Sequence, residues 1–416
     1  ELWKEYRIFK YALILHLGYF IASLILILTV FREQNDFLIF YNAGGIFLHD
    51  IDNLYSQEHY IWDFRYFPLS AAMFIPFYLL GYDLGVILYQ LINLILNFLI
   101  CVLLYKICRI IKGENHEQDD KRVILFLGLY LMAVPHMLNY ALGQINQFIT
   151  FFMLLSLFIF LTRKGVIWEF IGGFILGISI IIKPTTLFLI PFLLVIHLNF
   201  KPRTLKIDFK TSFSRIFGVI SPVLFNFIWF FLYPKMFQGF ITTNFTGSNP
   251  LTINFSFSLT KLILNYCYLF NIPFNQLYVL IALIGLFAGS GFFFYLIMRQ
   301  DQNKILYGYT LGILIMLITY YDSWNHHLLN LLPLMILIMF NLPRNSELTV
   351  PYFKRSFFYF SFFDIGYMGV WFLLYPYFPF NFMATIFLTI SFIGVCKYAY
   401  KNRGHTQEEE KIRNED

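Results

Sequence analysis

Apolar runs of about 15 to 25 residues recur along this chain, and they constrain its fold more than any other feature. A helix of this length crosses a hydrocarbon layer roughly 30 Å thick, whereas the strands of a membrane barrel are shorter and alternate in polarity. Of the 416 residues, 59% are hydrophobic and only 13% are charged, which no soluble domain of this length tolerates. The sequence therefore predicts an all-α polytopic membrane protein, with one transmembrane domain over residues 1–400 and a charged tail over 401–416.

Basic residues cluster at the ends of the apolar runs and orient the predicted helices. By the positive-inside rule, the cluster before the first run places the N-terminus in the cytoplasm and the loop 31–82 outside. The same rule places the C-terminal tail in the cytoplasm. The predicted spans, about twelve in number, cover residues 11–30, 84–108, 123–141, 148–162, 166–183, 185–199, 216–234, 276–298, 305–321, 328–342, 356–374 and 382–397.

The apolar run 67–81 is not counted as a span. It is only about fourteen residues long and contains Pro68 and Pro76, so it is short for a crossing. A crossing here would also place the basic loop 106–122 outside, against the charge rule. We therefore predict that this run forms a juxtamembrane helix at the outer face.

The first outer loop holds several carboxylates close to the membrane: Asp36, Asp50, Asp52, Glu58 and Asp63. Apolar residues after Asp36 recur at helical spacing, which predicts an amphipathic helix that starts at Asp36 and lies on the membrane. One interpretation is that Asp36 only caps this helix. The other is that aromatic neighbours desolvate its carboxylate and raise its pKa, so that it acts as a general base.

Further motifs follow Asp36, three in the first outer loop and three at predicted outer ends of spans. They are Tyr41-Asn42-Ala43-Gly44, Leu54-Tyr55, Tyr66-Phe67-Pro68, Gly143-Gln144-Ile145-Asn146-Gln147, Gly177 through Lys183-Pro184, and Ser323-Trp324-Asn325-His326-His327. With Asp36, this set resembles the C-type glycosyltransferases (GT-C). More narrowly, it is similar to glycosyltransferase family 87, the mannosyltransferases that depend on polyprenyl-phosphate mannose.

The resemblance implies a GT-C fold and an inverting transfer of a sugar, mannose in the first instance. The donor is a polyprenyl-phosphate sugar, and the acceptor is a lipid or envelope glycan on the extracytoplasmic side of the cytoplasmic membrane. The resemblance gives Asp36 the role of general base. We assign donor and phosphate binding to Lys183, His326, His327, Gln144, Asn146 and Arg65. We assign Tyr41, Tyr55 and Tyr66 to the loop that receives the acceptor.

Several of these assignments keep an alternative. An ammonium at the headgroup level meets a lipid phosphate, but a lysine that snorkels to the interface occupies the same position as Lys183. Adjacent histidines on a helix point about 100° apart, so only one faces a given pocket, and we slightly favour His326 over His327. Arg65 pairs either with an acid of its own loop or with the donor phosphate.

We expect neither a metal cofactor nor a nucleic-acid partner. The outer turn 143–147 offers amides, which are weak ligands for divalent cations, and the remaining loop acids are typical of a solvated surface. The net charge of +6 comes from clusters at span ends and follows topology. The expected partners are the lipid-linked donor, the acceptor and membrane lipids.

A transporter or lipid flippase is the alternative from another functional class, and an oligosaccharide ligase or polymerase would share the same geometry. Transporters place polar groups near the bilayer midplane and often contain inverted repeats. In this chain the predicted polar groups gather at the outer face, and the centres of the spans are expected to be apolar. This pattern favours a transferase.

Overall fold

The computed structural model describes residues 6–112, 117–199, 204–246, 256, 258–299, 301–343, 345–364 and 382–403. In chain order, the α-helices are α1 Arg7–Leu28, α2 Asp36–His49, α3 Pro68–Ala72, α4 Ile75–Leu79, α5 Tyr82–Lys112, α6 Glu117–Met132, α7 Pro135–Ala141, α8 Asn146–Thr162, α9 Val166–Ile182, α10 Phe209–Leu232, α11 Pro234–Ile241, α12 Leu259–Leu269, α13 Gln276–Ile297, α14 Lys304–Thr319, α15 Leu328–Asn341, α16 Arg355–Phe358 and α17 Met383–Lys401. Shorter 3₁₀ helices cover Ile51–Asn53, Gln57–His59, Pro184–Leu193 and Asn325–His327. Strands β1, Ile196–Asn199, and β2, Thr204–Ile207, pair as an antiparallel hairpin.

Among the described residues, five helices are long and apolar enough to cross a membrane, namely α1, α5, α10, α13 and α17. A sixth candidate consists of α6 and α7, which meet at a bend of 41°. The structure thus confirms a helical membrane protein, but it does not confirm a count of about twelve spans, because α8, α9 and α14 have only 16 or 17 residues. The predicted span 356–374 and the tail 401–416 lie partly outside the described residues.

The predicted span 185–199 is replaced by two different elements. A 3₁₀ helix ends at Leu193, and β1 follows it. Pro191 lies inside this 3₁₀ helix and removes a backbone donor, which does not favour a continuous α-helix. Ten residues at about 2 Å of rise each measure roughly 20 Å, less than the thickness of the hydrocarbon layer. The prediction of a full helical span at this position is therefore wrong.

The helix predicted after Asp36 is present as α2, but its apolar face packs on protein. The rings of Phe40 and Phe74 stack with centroids 4.8 Å apart. Gly44 permits this packing, since a Cβ there would lie 2.7 Å from the Phe74 carbonyl carbon. The run 67–81 forms two short helices, α3 and α4, whose combined length of about 18 Å is too small for a crossing.

Side chains of α1 bind carbonyl groups near the bend between α6 and α7. Pro135 begins α7 and has no N–H for the helix ladder, so the bend leaves carbonyl oxygens unpaired. Two contacts satisfy them: His16 lies 2.9 Å from the Leu131 carbonyl oxygen, and the Tyr19 hydroxyl donates to the Met132 carbonyl at 3.0 Å. The Ser23 hydroxyl also donates to the Met137 carbonyl of α7 at 3.0 Å. The bend is thus built into the packing of the first span.

One face of α5 carries buried polar side chains. Gln90 and Asn97 donate to the carbonyl and hydroxyl groups of Tyr140, at 2.6 and 2.7 Å, and Asn93 is also fully buried. The expectation that span centres are apolar is therefore wrong for this helix. Gln90 and Asn97 thus bind the neighbouring helix α7, which is a common role of polar side chains between packed membrane helices.

Glycines bring α9 and α10 into backbone contact. A Cβ at Gly173 would collide with the Arg215 carbonyl, and one at Gly177 would lie 2.5 Å from the Val219 carbonyl oxygen. Small residues at such positions allow membrane helices to approach closely. Because Lys183 directly follows α9, this packing fixes the position from which its side chain extends.

A tight turn joins α7 to α8 and holds the start of α2. Gly143 in this turn has φ +64°, a backbone conformation that favours glycine. A Cβ at Gly143 would lie only 2.5 Å from the Phe37 Cβ. Next to it, the Asp36 N–H donates to the Leu142 carbonyl at 2.8 Å. The turn and the N-terminus of α2 are therefore one packed unit.

We predict that Gly143→Ala lowers stability by roughly 2 to 4 kcal/mol, because it adds backbone strain and a steric clash. Gly81→Ala is the matched control: Gly81 has φ +78°, but no atom lies within 4 Å of the position that an added Cβ would take. The control should lose only about 1 kcal/mol. Thermal unfolding of both variants in the same nanodisc preparation measures the difference, and equal losses would contradict the packing described.

Candidate active site

Asn35, not Asp36, caps helix α2. The Asn35 Oδ1 accepts a hydrogen bond of 2.8 Å from the Leu38 N–H, while its Nδ2 donates to the Phe31 carbonyl and the Tyr82 hydroxyl. The interpretation of Asp36 as the cap is therefore wrong, since the neighbouring side chain performs that role. The carboxylate of Asp36 is left to face the turn between α7 and α8.

Gln144 lies between Asp36 and Lys183. Its side chain hydrogen-bonds with the Asp36 carboxylate, and its Oε1 lies 3.4 Å from the Lys183 Nζ. Burial raises the pKa of Asp36 to about 6, and the nearby charge of Lys183 and the Gln144 hydrogen bond oppose this rise. A carboxyl group with this pKa is ionised at neutral pH and still basic enough to accept a proton from a hydroxyl.

Lys183 is a buried lysine with several neighbours. Only 7% of the residue is exposed, and its Nζ lies 2.7 Å from the His327 Nε2 and 6.0 Å from the centre of the Tyr66 ring. Burial lowers the pKa of Lys183 to about 8, while Asp36 and Asp322 oppose the change by favouring the charged form. The side chain is thus turned inward, and the interpretation that it snorkels to the interface does not fit.

The hydrogen bonds of His327 define its tautomer. Its Nδ1 accepts the Trp324 N–H at 3.0 Å, so the proton of the neutral ring is on Nε2. Nε2–H can then donate to Lys183 only when the lysine is an uncharged amine, which is the form that it takes above its pKa. An anion bound at this point would favour the ammonium instead, because an opposite charge raises a lysine pKa.

His326 packs on His327, with ring centres 4.4 Å apart, and its residue is 6% exposed. Burial and the charge of Lys183 hold the pKa of His326 well below its usual value, so the ring is neutral. Within the described part of the chain, the ring nitrogens of His326 make no hydrogen bond. His327 and not the slightly favoured His326 is therefore the histidine that contacts Lys183.

Arg65 pairs with carboxylates on both sides. Its guanidinium lies 2.6 Å from Asp322 and 3.2 Å from Asp63, and all three side chains are mostly buried. The open question about Arg65 is thus answered in favour of acids, one from its own loop and one from the segment before His326. Asp322 was not among the residues selected from the sequence, because a single acid in a short polar segment gives no pattern.

The three tyrosines assigned to the acceptor loop lie in different surroundings in the structure. Tyr66 faces Lys183, as described above. The Tyr55 hydroxyl donates to the Tyr66 carbonyl at 2.6 Å and is buried in the core of this loop. Tyr41 packs against the rings of Tyr78 and Tyr82. Only Tyr66 therefore joins the group around Lys183, and the other two support the loop.

Asn146 lies behind the site in a buried amide network. Its Nδ2 donates to the Asn139 Oδ1 at 3.0 Å, and Asn139 also donates to the Gln144 carbonyl and to the Gln147 side chain. These contacts hold the turn that presents the Gln144 side chain. The structure thus gives Asn146 a supporting position and does not bring it to Lys183.

The charged and polar groups at the site suggest phosphate chemistry more than metal chemistry. Within the described ranges, no three His, Cys, Asp or Glu side chains are placed together to hold a metal ion. The absence of a metal cofactor stays a prediction. A lysine, two neutral histidines and a partly buried carboxylate can instead bind a phosphate group and accept a proton.

Comparison with known proteins gives one clear result. A family model described as glycosyltransferase family 87 matches residues 64–319, more than half of the chain. The matched range includes Gln144 and Lys183, whereas Asp36, His326 and His327 lie outside it. No curated protein matches the chain significantly. The helical membrane architecture agrees with the GT-C superfamily, and the chain therefore belongs to glycosyltransferase family 87 and is a membrane glycosyltransferase.

Proposed function

We propose that this glycosyltransferase moves a sugar, mannose in the first instance, from a polyprenyl phosphate to a hydroxyl group of a lipid or envelope-glycan acceptor on the extracytoplasmic side. The observation that carries the proposal is the connection Asp36–Gln144–Lys183–His327. It places a basic carboxylate and the amino group of a lysine close together, and that amino group takes its charged form beside an anion. Transfer from a lipid-linked sugar phosphate needs a base that takes the proton of the acceptor hydroxyl and a cation that stabilises the departing phosphate.

In this proposal, Asp36 takes the proton of the acceptor hydroxyl as its oxygen bonds to the anomeric carbon. The bond from that carbon to the phosphate oxygen breaks, the sugar inverts, and the polyprenyl phosphate leaves with the bonding electrons. Lys183 stabilises the charge that develops on the phosphate. His326 is neutral and has an N–H to donate to a phosphate oxygen. The proposed step uses no metal.

Transport or lipid flipping is the second candidate, because the polar face of α5 offers intramembrane amides. Two of these amides, Gln90 and Asn97, bind Tyr140 and thereby join α5 to α7. Membership of a glycosyltransferase family also favours transfer over transport. We therefore keep transfer as the proposal.

Asp36→Asn should leave folding intact while sugar transfer falls by about 10² or more, the usual scale for loss of a general base. The matched control is Asn35→Ala, which removes the helix cap next to Asp36. This variant should lose about 1 kcal/mol of stability but much less of the transfer rate than Asp36→Asn. Rates with polyprenyl-phosphate mannose, together with melting temperatures, separate the two effects. A fully active Asp36→Asn protein would falsify the assignment of the base.

The pH profile of kcat/KM should be bell-shaped. Activity should fall as the pH drops through about 6, because Asp36 becomes protonated, and should fall again as the pH rises through about 8, because Lys183 loses its charge. Lys183→Arg keeps a cation at all these pH values, so the alkaline limb should move upward in any active preparation. A wild-type rate that stays constant from about pH 5 to pH 9 would contradict both assignments.

Sidedness can be measured with single cysteines. Gln57 lies in the first loop and Lys164 between α8 and α9, and both are exposed. In a variant with Cys267→Ser, an impermeant maleimide should label Gln57→Cys in intact cells, but should label Lys164→Cys only after permeabilisation. The other three cysteines are buried and should give little background. Labelling of both positions in intact cells would contradict an extracytoplasmic site with cytoplasmic termini.

A further inference from the structure

Two polar residues of α12 are buried close to the candidate active site. Lys261 is 3% exposed and Asn265 is fully buried. They are four residues apart and therefore lie on the same face of the helix. The Thr260 hydroxyl between Leu259 and Lys261 donates to the Thr319 carbonyl, which fixes α12 against the end of α14. The segment that follows α14 contains Asp322 and His327, so α12 borders the same region.

Neither of these polar groups has a partner among the described residues. The Nδ2 and Oδ1 atoms of Asn265 are both buried and unpaired. No hydrogen bond or ion pair within those residues involves the Lys261 ammonium group. Buried polar groups are nearly always paired in native proteins, so the two unpaired amide atoms of Asn265, on the same helix face as the Lys261 ammonium group, indicate a bound molecule.

No acidic residue close to Lys261 in the sequence can serve as its counter-ion. No aspartate or glutamate occurs between Asp208 and Asp301. The nearby carboxylates are those of Asp63 and Asp322, and both already pair with Arg65. Burial lowers the pKa of Lys261, Asp322 opposes this change, and Arg65 adds to it. Lys261 is thus close enough to the Arg65–Asp322 pair to interact with it electrostatically.

We propose that Lys261 and Asn265 form a carbohydrate subsite beside the Arg65–Asp322 pair, which binds the ring hydroxyl groups of a sugar. The proposal rests on the proposed sugar transfer. It adds the position of a sugar-recognising surface outside the Asp36–Lys183 group.

The hydrogen-bonding types of the two side chains select a hydroxyl ligand over a phosphate. Lysine only donates, whereas an asparagine amide donates through Nδ2 and accepts through Oδ1. A phosphate anion accepts bonds but would leave the Asn265 Oδ1 unpaired. A sugar hydroxyl accepts from one group and donates to another, so neighbouring hydroxyls satisfy all three functions. The two cations and two carboxylates here also balance in charge, which suits a neutral ligand.

The sugar has two possible sources, the donor sugar and the acceptor glycan. Two series of rate measurements, here called the two kinetic arms, distinguish these sources. The first arm varies polyprenyl-phosphate mannose at saturating acceptor, and the second varies the acceptor at saturating donor. A rise in KM in the first arm assigns the subsite to the donor sugar, and a rise in the second assigns it to the acceptor.

The test uses Asn265→Leu and Lys261→Met in the full-length protein in nanodiscs. Because Leu replaces an unpaired amide by an apolar group of similar size, the melting temperature of Asn265→Leu should stay the same or rise. At the same time, KM in one arm should rise by about tenfold or more, the scale of losing a paired hydroxyl contact. Thr260→Val is the control on the same helix: it loses a satisfied hydrogen bond, so its melting temperature should fall with little change in KM.

A binding measurement makes the result independent of the transfer reaction. Methyl mannoside, methyl glucoside and methyl galactoside are tested for their effect on the melting temperature, with inorganic phosphate as the comparison. At least one glycoside should stabilise the wild type and lose this effect in both variants, even if the proposed donor is not used. Two outcomes would overturn the subsite: no glycoside response in the wild type, or a response unchanged in both variants. A phosphate response that the variants lose would also overturn it, by indicating an anion site.

Discussion

The burial of Lys183 is the constraint on which the arrangement of the site depends. A lysine ammonium loses its hydration when it is buried, and the protein must replace water with other partners. Here Gln144, His327 and the Tyr66 ring surround the amine, and the Asp36 carboxylate supplies the opposing charge. Burial also shifts both titrating groups toward neutrality, Asp36 upward and Lys183 downward. The same desolvation that costs stability therefore gives the site its acid–base properties.

Several structural features far apart in the sequence hold this group together. The cap of α2 is provided by Asn35, which leaves Asp36 available. The turn at Gly143 approaches α2 closely enough for a backbone hydrogen bond to Asp36. On the other side, glycines between α9 and α10 position the helix that ends before Lys183. Each feature uses either a small residue or a side chain that satisfies backbone groups, as expected where irregular backbone is buried in a membrane protein.

Much of the architecture was predictable from local patterns. Apolar runs predicted the long helices, the spacing after Asp36 predicted α2, and Pro68 and Pro76 correctly limited the helices over residues 67–81. The 3₁₀ helix and hairpin over 184–207 were not predicted, because an apolar run of this length does not by itself distinguish an α-helix from other conformations. The amides of α5 were also missed, since a polar minority in an apolar helix hardly alters its mean hydropathy.

The sequence by itself determined the membrane class, the family resemblance and the residue types that gather around the proposed chemistry. Only the tertiary structure decided which of them meet: His327 contacts Lys183, Arg65 pairs with Asp322, and Asn146 lies behind the turn. It also revealed that both amide atoms of Asn265 are buried and unpaired among the described residues, on the same helix face as the buried Lys261. The physical reason is that residue type limits the hydrogen bonds and charges a side chain can offer, whereas partners and burial arise from contacts between segments distant in the chain.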